Sequence, residues 1–251
     1  MDLRSAWLEP APLVIAHRGA SAIAPENTLA AFERAFKLGA DAVELDAKRT
    51  LDGEVVTFHD PTLRRTTGAA GSVGSRTLRE LRSLDAGAWK SEAFRGERIP
   101  TLSEVLETIG RRLLVNIELS DYWGGQERLV ERVVAIVQAH RMSVRVLLSS
   151  FDSGALASAR KMAPEIARGH LVGPTWLAYR DFFRQKVPVT ALHPHESRVR
   201  RDRIEAAHRS GCRVHVYTVQ EEERMRTFWA WGVDGLITDL PDVARRVRDE
   251  P

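Results

Sequence analysis

The sequence predicts an α/β fold, the (βα)8 TIM barrel, on three observations. Short β-rich apolar runs alternate with amphipathic helical stretches, the pattern of parallel strand–helix units. Eight such units fit within the 251 residues, about the length of a single barrel. No Gly-rich dinucleotide fingerprint follows the first strand, which disfavours a doubly wound open sheet, the alternative architecture.

The units can be assigned in chain order. The predicted strands are Leu13–His17, Ala42–Lys48, Leu113–Leu119, Arg145–Ser149, Ile166–Val172, Val189–His193, Arg213–Thr218 and Gly235–Thr238. The predicted helices are Thr28–Leu38, Thr101–Ile109, Gln126–His140, Ser153–Lys161, Thr175–Arg184, Arg201–Arg209, Glu221–Trp231 and Pro241–Arg248. Asn27 is the predicted N-cap of the first helix.

One further apolar run, EVVTFHD, follows the second strand after only a short link. Parallel strands need a longer crossover, so this run is predicted to return antiparallel through a hairpin. With Asp52 and Gly53 as a two-residue loop, Asp46 faces His59 across the ladder. Glu44 shares that sheet face by the period of two. The register therefore predicts that Glu44, Asp46 and His59 cluster.

The segment 60–100 is too long for an ordinary strand–helix loop. It leaves from the second strand at the end where barrels keep their chemistry. We interpret it as a small insertion or lid in the connection from the second strand to the second helix. The whole chain, 1–251, is then a single catalytic barrel domain.

Composition limits the classes of function. A net charge of +3 is too small to indicate nucleic acid, and the Arg-rich stretches are interpreted as solvated helix faces. One cysteine, Cys212, excludes an internal disulfide. No apolar run approaches the ~18 residues of a membrane span, and no secretory signal is visible, so we expect a cytoplasmic protein without stable membrane insertion. The composition leaves the oligomeric state open.

Acidic residues lie near the ends of two predicted strands. Glu44 and Asp46 belong to the second strand and Glu118 to the third. Barrel active sites collect at these ends, and buried carboxylates are costly without compensation. Three carboxylates suit one divalent cation, Mg²⁺ or Ca²⁺ with Mn²⁺ as a further option, and do not suit zinc. The alternative is a structural ion network with nearby lysine and arginine, and spacing alone does not separate the two.

Basic residues flank these carboxylates. His17 and His59 can divide general-base and general-acid work near neutral pH. A single histidine at a strand end is usually structural, but two that converge on one carboxylate cluster favour catalysis. Arg18 carries a planar fork suited to a phosphate. An ion pair of Arg18 with Glu26 or Glu44 is the alternative, and it is compatible with phosphate binding.

Several motifs together resemble the glycerophosphodiester phosphodiesterase family. They are AHRGASAIAPENTLAAF, VELDAKRTLDGEVVTFHD, PTLSEVL, NIEL, YTV and GVDGLITDLP, in order over nearly the whole chain. The family is a TIM barrel related to the phosphatidylinositol-specific phospholipases C. The His-Arg-Gly…Pro-Glu-Asn-Thr and Glu-x-Asp…His-Asp pairs are highly specific in combination.

The resemblance implies a site and a reaction. It implies a divalent metal held by Glu44, Asp46 and Glu118, with His17 and His59 as the acid–base pair. It also implies that Arg18 contacts the phosphate. The implied reaction is hydrolysis of a small glycerophosphodiester to sn-glycerol 3-phosphate and an alcohol.

Two departures from the family pattern lie on the substrate side. Where the family commonly has Lys two residues after the third-strand Glu, this chain has Ser120, which donates a hydrogen bond but brings no charge. The family's Trp-Thr-Val-Asn is YTVQ here, and Tyr217 can still stack at the barrel mouth. We expect Ser120 and Tyr217 to contact substrate and to alter its selection more than the reaction.

Two rival functions remain at this point. A lysophospholipase-D-like activity on lysophospholipids needs an apolar groove, for which Trp89, Phe94 and Trp176 are candidates. The alternative for these aromatics is barrel and lid packing. A catalytically inactive barrel that binds anionic lipid or nucleic acid through Arg-rich helices would give salt-sensitive binding without turnover. The intact set of histidines and carboxylates disfavours that second alternative.

Overall fold

The computed structural model describes residues 5–8, 12–121, 126–174 and 188–250. Its strands are β1 (Leu13–His17), β2 (Ala42–Arg49), β3 (Val55–Thr57), β4 (Leu114–Leu119), β5 (Val146–Ser150), β6 (Ala167–Val172), β7 (Ala191–Pro194), β8 (Arg213–Val216) and β9 (Gly235–Thr238). Its helices are α1 (Leu29–Lys37), α2 (Arg64–Thr67), α3 (Leu78–Leu81), α4 (Leu102–Ile109), α5 (Gln126–Ala139), α6 (Ser153–Met162), α7 (Arg201–Arg209), α8 (Glu222–Ala230) and α9 (Pro241–Asp249). The predicted helix Thr175–Arg184 lies outside the described residues.

The sheet closes on itself. Its strand order is β1-β9-β8-β7-β6-β5-β4-β2, and β1 pairs with both β9 and β2. All these pairings are parallel, whereas β3 joins the outer end of β2 antiparallel. The predicted TIM barrel with an antiparallel excursion after the second strand is therefore confirmed. Among the described residues, none of the helices combines the length and apolarity needed to cross a bilayer.

Alternate strand positions face the inside of the barrel. At its amino-terminal end these positions are apolar and pack around Trp7, which is only 1% exposed. Ile15, Leu147 and Ile237 are among its neighbours. Trp7 lies in a short 3-10 helix, Ala6–Leu8, and its Nε1 donates to the Arg145 carbonyl at 3.0 Å. The period of two continues along each strand, so the same face points inward up to the carboxyl end. There the inward residues are polar.

The hairpin register differs by one residue from the predicted one. Thr50 pairs with Glu54, and the loop is the three-residue segment 51–53 rather than Asp52-Gly53 alone. Gly53 has a φ of 88°, the left-handed conformation that three-residue hairpin loops require. Consequently the Asp46 carbonyl accepts from the amide of Phe58, not of His59. The predicted ladder contact between Asp46 and His59 is wrong, and His59 lies beyond the end of β3.

The segment 60–100 builds a small core of its own. It contains α2, α3 and two 3-10 turns, Val73–Ser75 and Glu92–Phe94. Its apolar side chains pack with those of β3 in one buried cluster, whose members are Val56, Phe58, Leu63, Val73, Leu81, Ala86 and Ile99. The apolar side of this segment therefore packs on the excursion strand, and its Arg82 also pairs with Glu104 of the barrel helix α4 at 2.6 Å.

The entry to α1 differs from the expected cap. Thr28 is the N-cap, and its hydroxyl accepts from the Ala31 amide at 3.3 Å. Asn27 instead faces the barrel mouth. In the turn that follows β1, Gly19 has a φ of 84°, and a Cβ there would lie 2.6 Å from the Ala31 carbonyl carbon. Gly19 thus permits both the turn after β1 and the close approach of α1.

Candidate active site

Three carboxylates converge at the barrel mouth. Glu44, Asp46 and Glu118 each offer an oxygen within 4.8 Å of the others. They come from adjacent strands, because β2 pairs with β4 and Asp46 lies opposite Glu118 in the ladder. All three occupy the inward face. The oxygen-only set and the short separations fit one hard divalent cation.

The electrostatics of this cluster favour a bound cation. Burial, and then the charges of Asp46 and Glu118, raise the pKa of Glu44 well above its ordinary value. Burial also opposes ionisation of Asp46, but Arg18, and after it His59, lower its pKa below the ordinary value. One carboxylate is thus ionised while its neighbour resists ionisation. A cation placed among them would favour the charged form of all three.

Asn27 fixes the orientation of Asp46. Its Nδ2 donates to Asp46 Oδ2 at 2.8 Å, and its Oδ1 accepts from the Asp46 amide at 3.2 Å. Asn27 holds a left-handed φ of 58°, and Arg18 a φ of 55°. Non-glycine residues in this region cost energy and concentrate at functional sites.

His17 is held by a carboxylate that the candidate set did not contain. Its Nδ1 lies 2.7 Å from Asp239 Oδ1, and its Nε2 lies 4.0 Å from Glu44 Oε2. Asp239 is itself held by Ser21 Oγ at 2.9 Å and by Gln220 Nε2 at 2.6 Å. With Nδ1 engaged, the imidazole presents Nε2 to the carboxylate cluster.

His59 is arranged in the same way on the other side. Its Nδ1 lies 2.8 Å from Asp60 Oδ1, and 41% of its side chain is exposed. Arg65 clamps Asp60 at 2.7 Å and Glu26 at 2.7 Å. Both histidines therefore have a carboxylate on Nδ1, which leaves Nε2 of each for proton transfer.

A second acidic group, Glu26, His59 and Asp60, also has ligand atoms within 4.8 Å of one another. Arg65 already occupies it with four hydrogen bonds. A cation there would displace a guanidinium that is bidentate to both carboxylates. The cluster on β2 and β4 is therefore the better candidate metal centre.

Arg18 bridges the two acidic groups. Its amide donates to Glu44 Oε2 at 3.0 Å, its Nη1 donates to Glu26 Oε1 at 3.0 Å, and its Nε lies 3.3 Å from Asp46 Oδ2. The guanidinium of Arg18 therefore forms the ion pair expected with Glu26, and a second one with Asp46. Glu44 is contacted by the backbone amide of Arg18 instead of by its guanidinium. These contacts leave Nη2 for an anion at the mouth.

Ser120 does not point freely into the mouth. It is buried, and its hydroxyl donates to the Ala47 carbonyl at 3.1 Å. Lys48 Nζ lies 2.7 Å from the Ser120 carbonyl and 3.3 Å from its hydroxyl. Burial lowers the pKa of Lys48, while Asp46 and Asp121 oppose that shift. A lysine on β2 thus brings charge to the neighbourhood of Ser120.

Tyr217 lies on the rim, after β8. Its hydroxyl donates to the Val172 carbonyl at 3.2 Å. Its ring meets Phe151 at 6.2 Å and His195 at 5.6 Å, both edge to face. Burial and then the charge of Glu118 raise its pKa, which indicates that Tyr217 and Glu118 share the mouth. Phe151 is 44% exposed, so this rim offers an aromatic face to solvent.

His193, which ends a predicted strand, is not at the mouth. It is fully buried inside the barrel, 3.2 Å from His215 Nδ1 through its Nε2. Burial lowers the pKa of His215 to about 4 and that of His193 well below its ordinary value. The pair is neutral and belongs to the barrel interior.

Sequence reasoning did not predict the contacts that three residues make at the site: Asp239, Asn27 and Lys48. Asp239 follows the last strand in ITDLP, and its place among the strand ends was the available signal. Asn27 lies in the PENT motif, where a capping role is the simpler interpretation. No local pattern marks Lys48, because its partner Ser120 is 72 residues away.

The fold and its rim define this protein as a TIM barrel with an ionisable site at the carboxyl ends of its strands. The model of the glycerophosphoryl diester phosphodiesterase family matches residues 17–243. The chain belongs to this family, and its enzymatic class is that of a glycerophosphodiester phosphodiesterase.

Relatives with assigned names agree. A glycerophosphodiester phosphodiesterase of Caldanaerobacter subterraneus is 41% identical over 236 residues, which cover 92% of this chain and 95% of the relative. An Oleispira antarctica phosphodiesterase in complex with the product sn-glycerol-3-phosphate has a TM-score of 0.89 and 35% identity, with 96% of this chain and 98% of that chain covered. An Agrobacterium tumefaciens glycerophosphodiester phosphodiesterase has a TM-score of 0.80 and 29% identity, with 94% and 99% covered.

Proposed function

We propose that this enzyme hydrolyses glycerophosphodiesters to sn-glycerol 3-phosphate and an alcohol, with one divalent cation and two histidines. The observation that carries the proposal is the convergence of Glu44, Asp46 and Glu118 within 4.8 Å, with His17 Nε2 4.0 Å from Glu44. The product bound to the Oleispira antarctica relative supports sn-glycerol 3-phosphate as the product here.

The three carboxylates would hold the cation, and Mg²⁺, Ca²⁺ or Mn²⁺ suits their oxygen donors. When bound, it supplies positive charge that neutralises the phosphodiester and stabilises charge growing on its equatorial oxygens. Asn27 keeps Asp46 oriented for this role through its two hydrogen bonds. Arg18 is fixed by its own carboxylate contacts. Its Nη2 would donate to the phosphate.

The two histidines would move the protons. One takes a proton from the attacking oxygen, which belongs to water or to the neighbouring glycerol hydroxyl of the substrate. The other gives a proton to the leaving alkoxide as its bond to phosphorus breaks. Asp239 and Asp60 would keep the two rings oriented with Nε2 toward the mouth, since each contacts an Nδ1 within 2.8 Å.

We also propose that the segment 60–100 acts as a lid within one catalytic domain. Arg65 from this segment reaches Glu26 at 2.7 Å, and Lys90 Nζ donates to the Ser21 carbonyl at 2.7 Å. Both contacts bring the segment to the turn that follows β1. Its buried cluster, which it shares with Val56 of β3, holds the segment together beside the mouth.

Release of sn-glycerol 3-phosphate from glycerophosphocholine, with and without EDTA, tests the proposal. We expect EDTA to abolish turnover and one of Mg²⁺, Ca²⁺ or Mn²⁺ to restore it. Glu44→Gln should lose cation-dependent activity, while Glu107→Gln, an exposed glutamate on α4, should not. Full turnover after cation removal would remove the metal from the scheme.

Lysophosphatidylcholine in the same panel tests the lysophospholipase-D-like alternative. Trp89 is 39% exposed and carries Arg65 and Lys90 on its ring, each 5.7 Å from the centroid. Trp176 lies outside the described residues. Trp89 therefore packs against two cations rather than lining an apolar groove, and we expect faster hydrolysis of glycerophosphocholine.

A further inference from the structure

A basic cavity adjoins the carboxylate cluster. It has a volume of about 590 Å³ and lies between the end of β2, the 3-10 turn Val73–Ser75 and the start of α5. Pro61 forms part of the cavity wall and directly follows His59 and Asp60 in the chain. A volume of this size accommodates a ligand moiety larger than the reacting phosphate.

The charged residues in the cavity wall are mostly positive. Lys48, Arg49 and Arg128 line it, against one acid, Asp121, which leaves a formal charge of +2. Positive charges facing a concave surface raise the local concentration of anions. No aromatic ring is among the described lining residues, so the wall lacks the faces on which a quaternary ammonium group binds.

The three cationic side chains of the wall are not paired with carboxylates within the described residues. Within the described part of the chain, Arg49, Arg128 and Lys48 form no ion pair within 4.0 Å. The Nε of Arg49 is buried and makes no hydrogen bond. No protein acceptor therefore engages this nitrogen, and the charge of Arg49 is not offset by a carboxylate within the described residues.

Lys48 connects the cavity to the reaction site. Lys48 belongs to the cavity wall, and its Nζ lies 2.7 Å from the carbonyl oxygen of Ser120, two residues after Glu118. A diester whose phosphate lies at the carboxylate cluster would therefore extend its alcohol toward Arg49 and Arg128. Because the other moiety of the diester is released as sn-glycerol 3-phosphate and carries no second anionic group, an anion in this cavity would belong to the leaving alcohol.

We propose that this cavity is a subsite for an anionic group on the alcohol moiety of the diester. The proposal rests on the proposed function and narrows its substrate class to diesters whose leaving alcohol carries a second phosphate or a carboxylate. Charge-assisted hydrogen bonds from Arg49 and Arg128 would hold that group.

The test compares glycerophosphoglycerol with the same diester phosphorylated on the terminal hydroxyl of its leaving glycerol. We expect kcat/KM to favour the phosphorylated diester by about tenfold or more, since a hydrogen bond to a charged group contributes that much. Arg128→Gln, and the double variant with Arg49→Gln, should lower this ratio toward one. Arg34→Gln, an exposed arginine on α1, is the matched control and should keep it.

A ratio near one in the wild type, or a ratio unchanged in both variants, would overturn the subsite. Loss of all hydrolysis would instead reject the proposed function. In that case calorimetric titration with inorganic phosphate decides on the cavity, by comparing wild type with Arg128→Gln. Weaker phosphate binding by about tenfold in the variant supports the subsite, and equal dissociation constants reject it.

Discussion

At the scale of single residues, the site is built from histidines that are each oriented by a carboxylate. Asp239 holds His17 and Asp60 holds His59, in both cases through Nδ1. Nδ1 is the engaged atom on both rings, although His17 ends β1 and His59 follows β3. The arrangement leaves the Nε2 atom of each ring without a carboxylate hydrogen bond, which suits a reaction that needs a base and an acid.

The first prediction concerns these two histidines. His17→Ala and His59→Ala should each lower kcat roughly 10²–10⁴-fold, because each removes one proton-transfer group. Steady-state release of sn-glycerol 3-phosphate measures the effect. Far-ultraviolet circular dichroism should be unchanged, since His59 is exposed and His17 partly so.

A matched histidine controls for the loss of an imidazole. His208 is partly exposed and pairs with Asp234 at 2.7 Å through Nε2, on the barrel's outer helix α7. His208→Ala should leave kcat within about twofold of the wild type, as expected for a surface change away from the site. Comparable losses in His208→Ala and His17→Ala would refute a specific role for His17.

The chemistry of the strand ends could be predicted from residue type, but the partners of each residue could not. Glu44 and Asp46 fall on one face by the period of two, and Glu118 ends the neighbouring strand as the ladder partner of Asp46. Asp239 reaches His17 across 222 residues, and such a contact depends on barrel closure. Asn27 resembles a cap locally, and only its two hydrogen bonds to Asp46 in the folded chain show its role at the mouth.

At the scale of elements, Arg65 ties α2 to the turn after β1. It contacts Asp60 and Glu26, and the hydrogen bond from Arg65 is the main cause that lowers the pKa of Asp60 to about 2. A depressed carboxylate pKa stabilises the fold above the unfolded pKa, and the gain is lost as pH falls through the folded value. The contribution of Asp60 to the free energy of unfolding is therefore lost below about pH 4.

The second prediction follows from this window. Arg65→Met should lower the free energy of unfolding near pH 6 by about 1 kcal/mol, the value expected after solvent screening of a half-exposed arginine. The difference between variant and wild type should shrink as pH falls from about 4 toward 2, because protonation of Asp60 and Glu26 removes the contact in the wild type. Urea unfolding at a series of pH values measures it.

Arg95→Met is the control for this comparison. Arg95 pairs with Glu92 in the same segment, but both side chains are mostly exposed, at 64% and 73%. An exposed pair of this kind contributes little to stability, so no pH-dependent difference is expected. A pH-independent difference for Arg65→Met would show that packing, rather than the charge on Asp60, carries its contribution.

The third prediction separates two costs at glycine positions. Gly19 and Gly53 both have a left-handed φ, at 84° and 88°. A Cβ at Gly19 would overlap Ala31 backbone atoms, whereas one at Gly53 would meet no atom within 4 Å. Gly53→Ala should cost about 1 kcal/mol from backbone conformation alone. Gly19→Ala should cost about 1–3 kcal/mol more from overpacking.

Chemical denaturation of the two glycine variants measures this difference. Equal unfolding free energies would mean that α1 moves away from Gly19 without cost. A larger loss in Gly53→Ala than in Gly19→Ala would contradict the packing argument directly. The activity of Gly53→Ala should remain, because the hairpin loop is exposed.

The same hairpin shows the limit of sequence reasoning for an element. Asp52-Gly53 is a strong hairpin signal, and both strands and their antiparallel pairing followed from it. The number of loop residues did not, because Thr50 Oγ1 accepts from the Glu54 amide at 2.9 Å and closes a three-residue loop. One extra loop residue shifts every cross-strand partner, which is why Asp46 faces Phe58.

At the scale of the whole molecule, the barrel has an apolar floor and an ionisable mouth. Trp7 closes the floor, where it packs against inward residues of most strands. The eight-unit pattern could be predicted because parallel strands are buried on both faces and read as apolar runs. The floor could not, because Ala6–Leu8 precedes the first strand and has no periodic pattern of its own.

The fourth prediction concerns this floor. Trp7→Ala should lower the free energy of unfolding by about 3–5 kcal/mol, the cost of removing a fully buried large aromatic side chain. Trp89→Ala, which removes a tryptophan that is 39% exposed, should cost less than half as much. Thermal unfolding monitored by circular dichroism compares them. Equal destabilisation would show that Trp7 does not close the barrel.

We propose that the β2–β4 carboxylates, and not the neighbouring acidic group, hold one divalent cation. Crystals soaked in Mn²⁺ and measured for anomalous scattering test it most directly. We expect a single strong peak bounded by oxygens of Glu44, Asp46 and Glu118. A peak among Glu26, His59 and Asp60 with none at the β2–β4 carboxylates, or no peak at either group, would contradict the account.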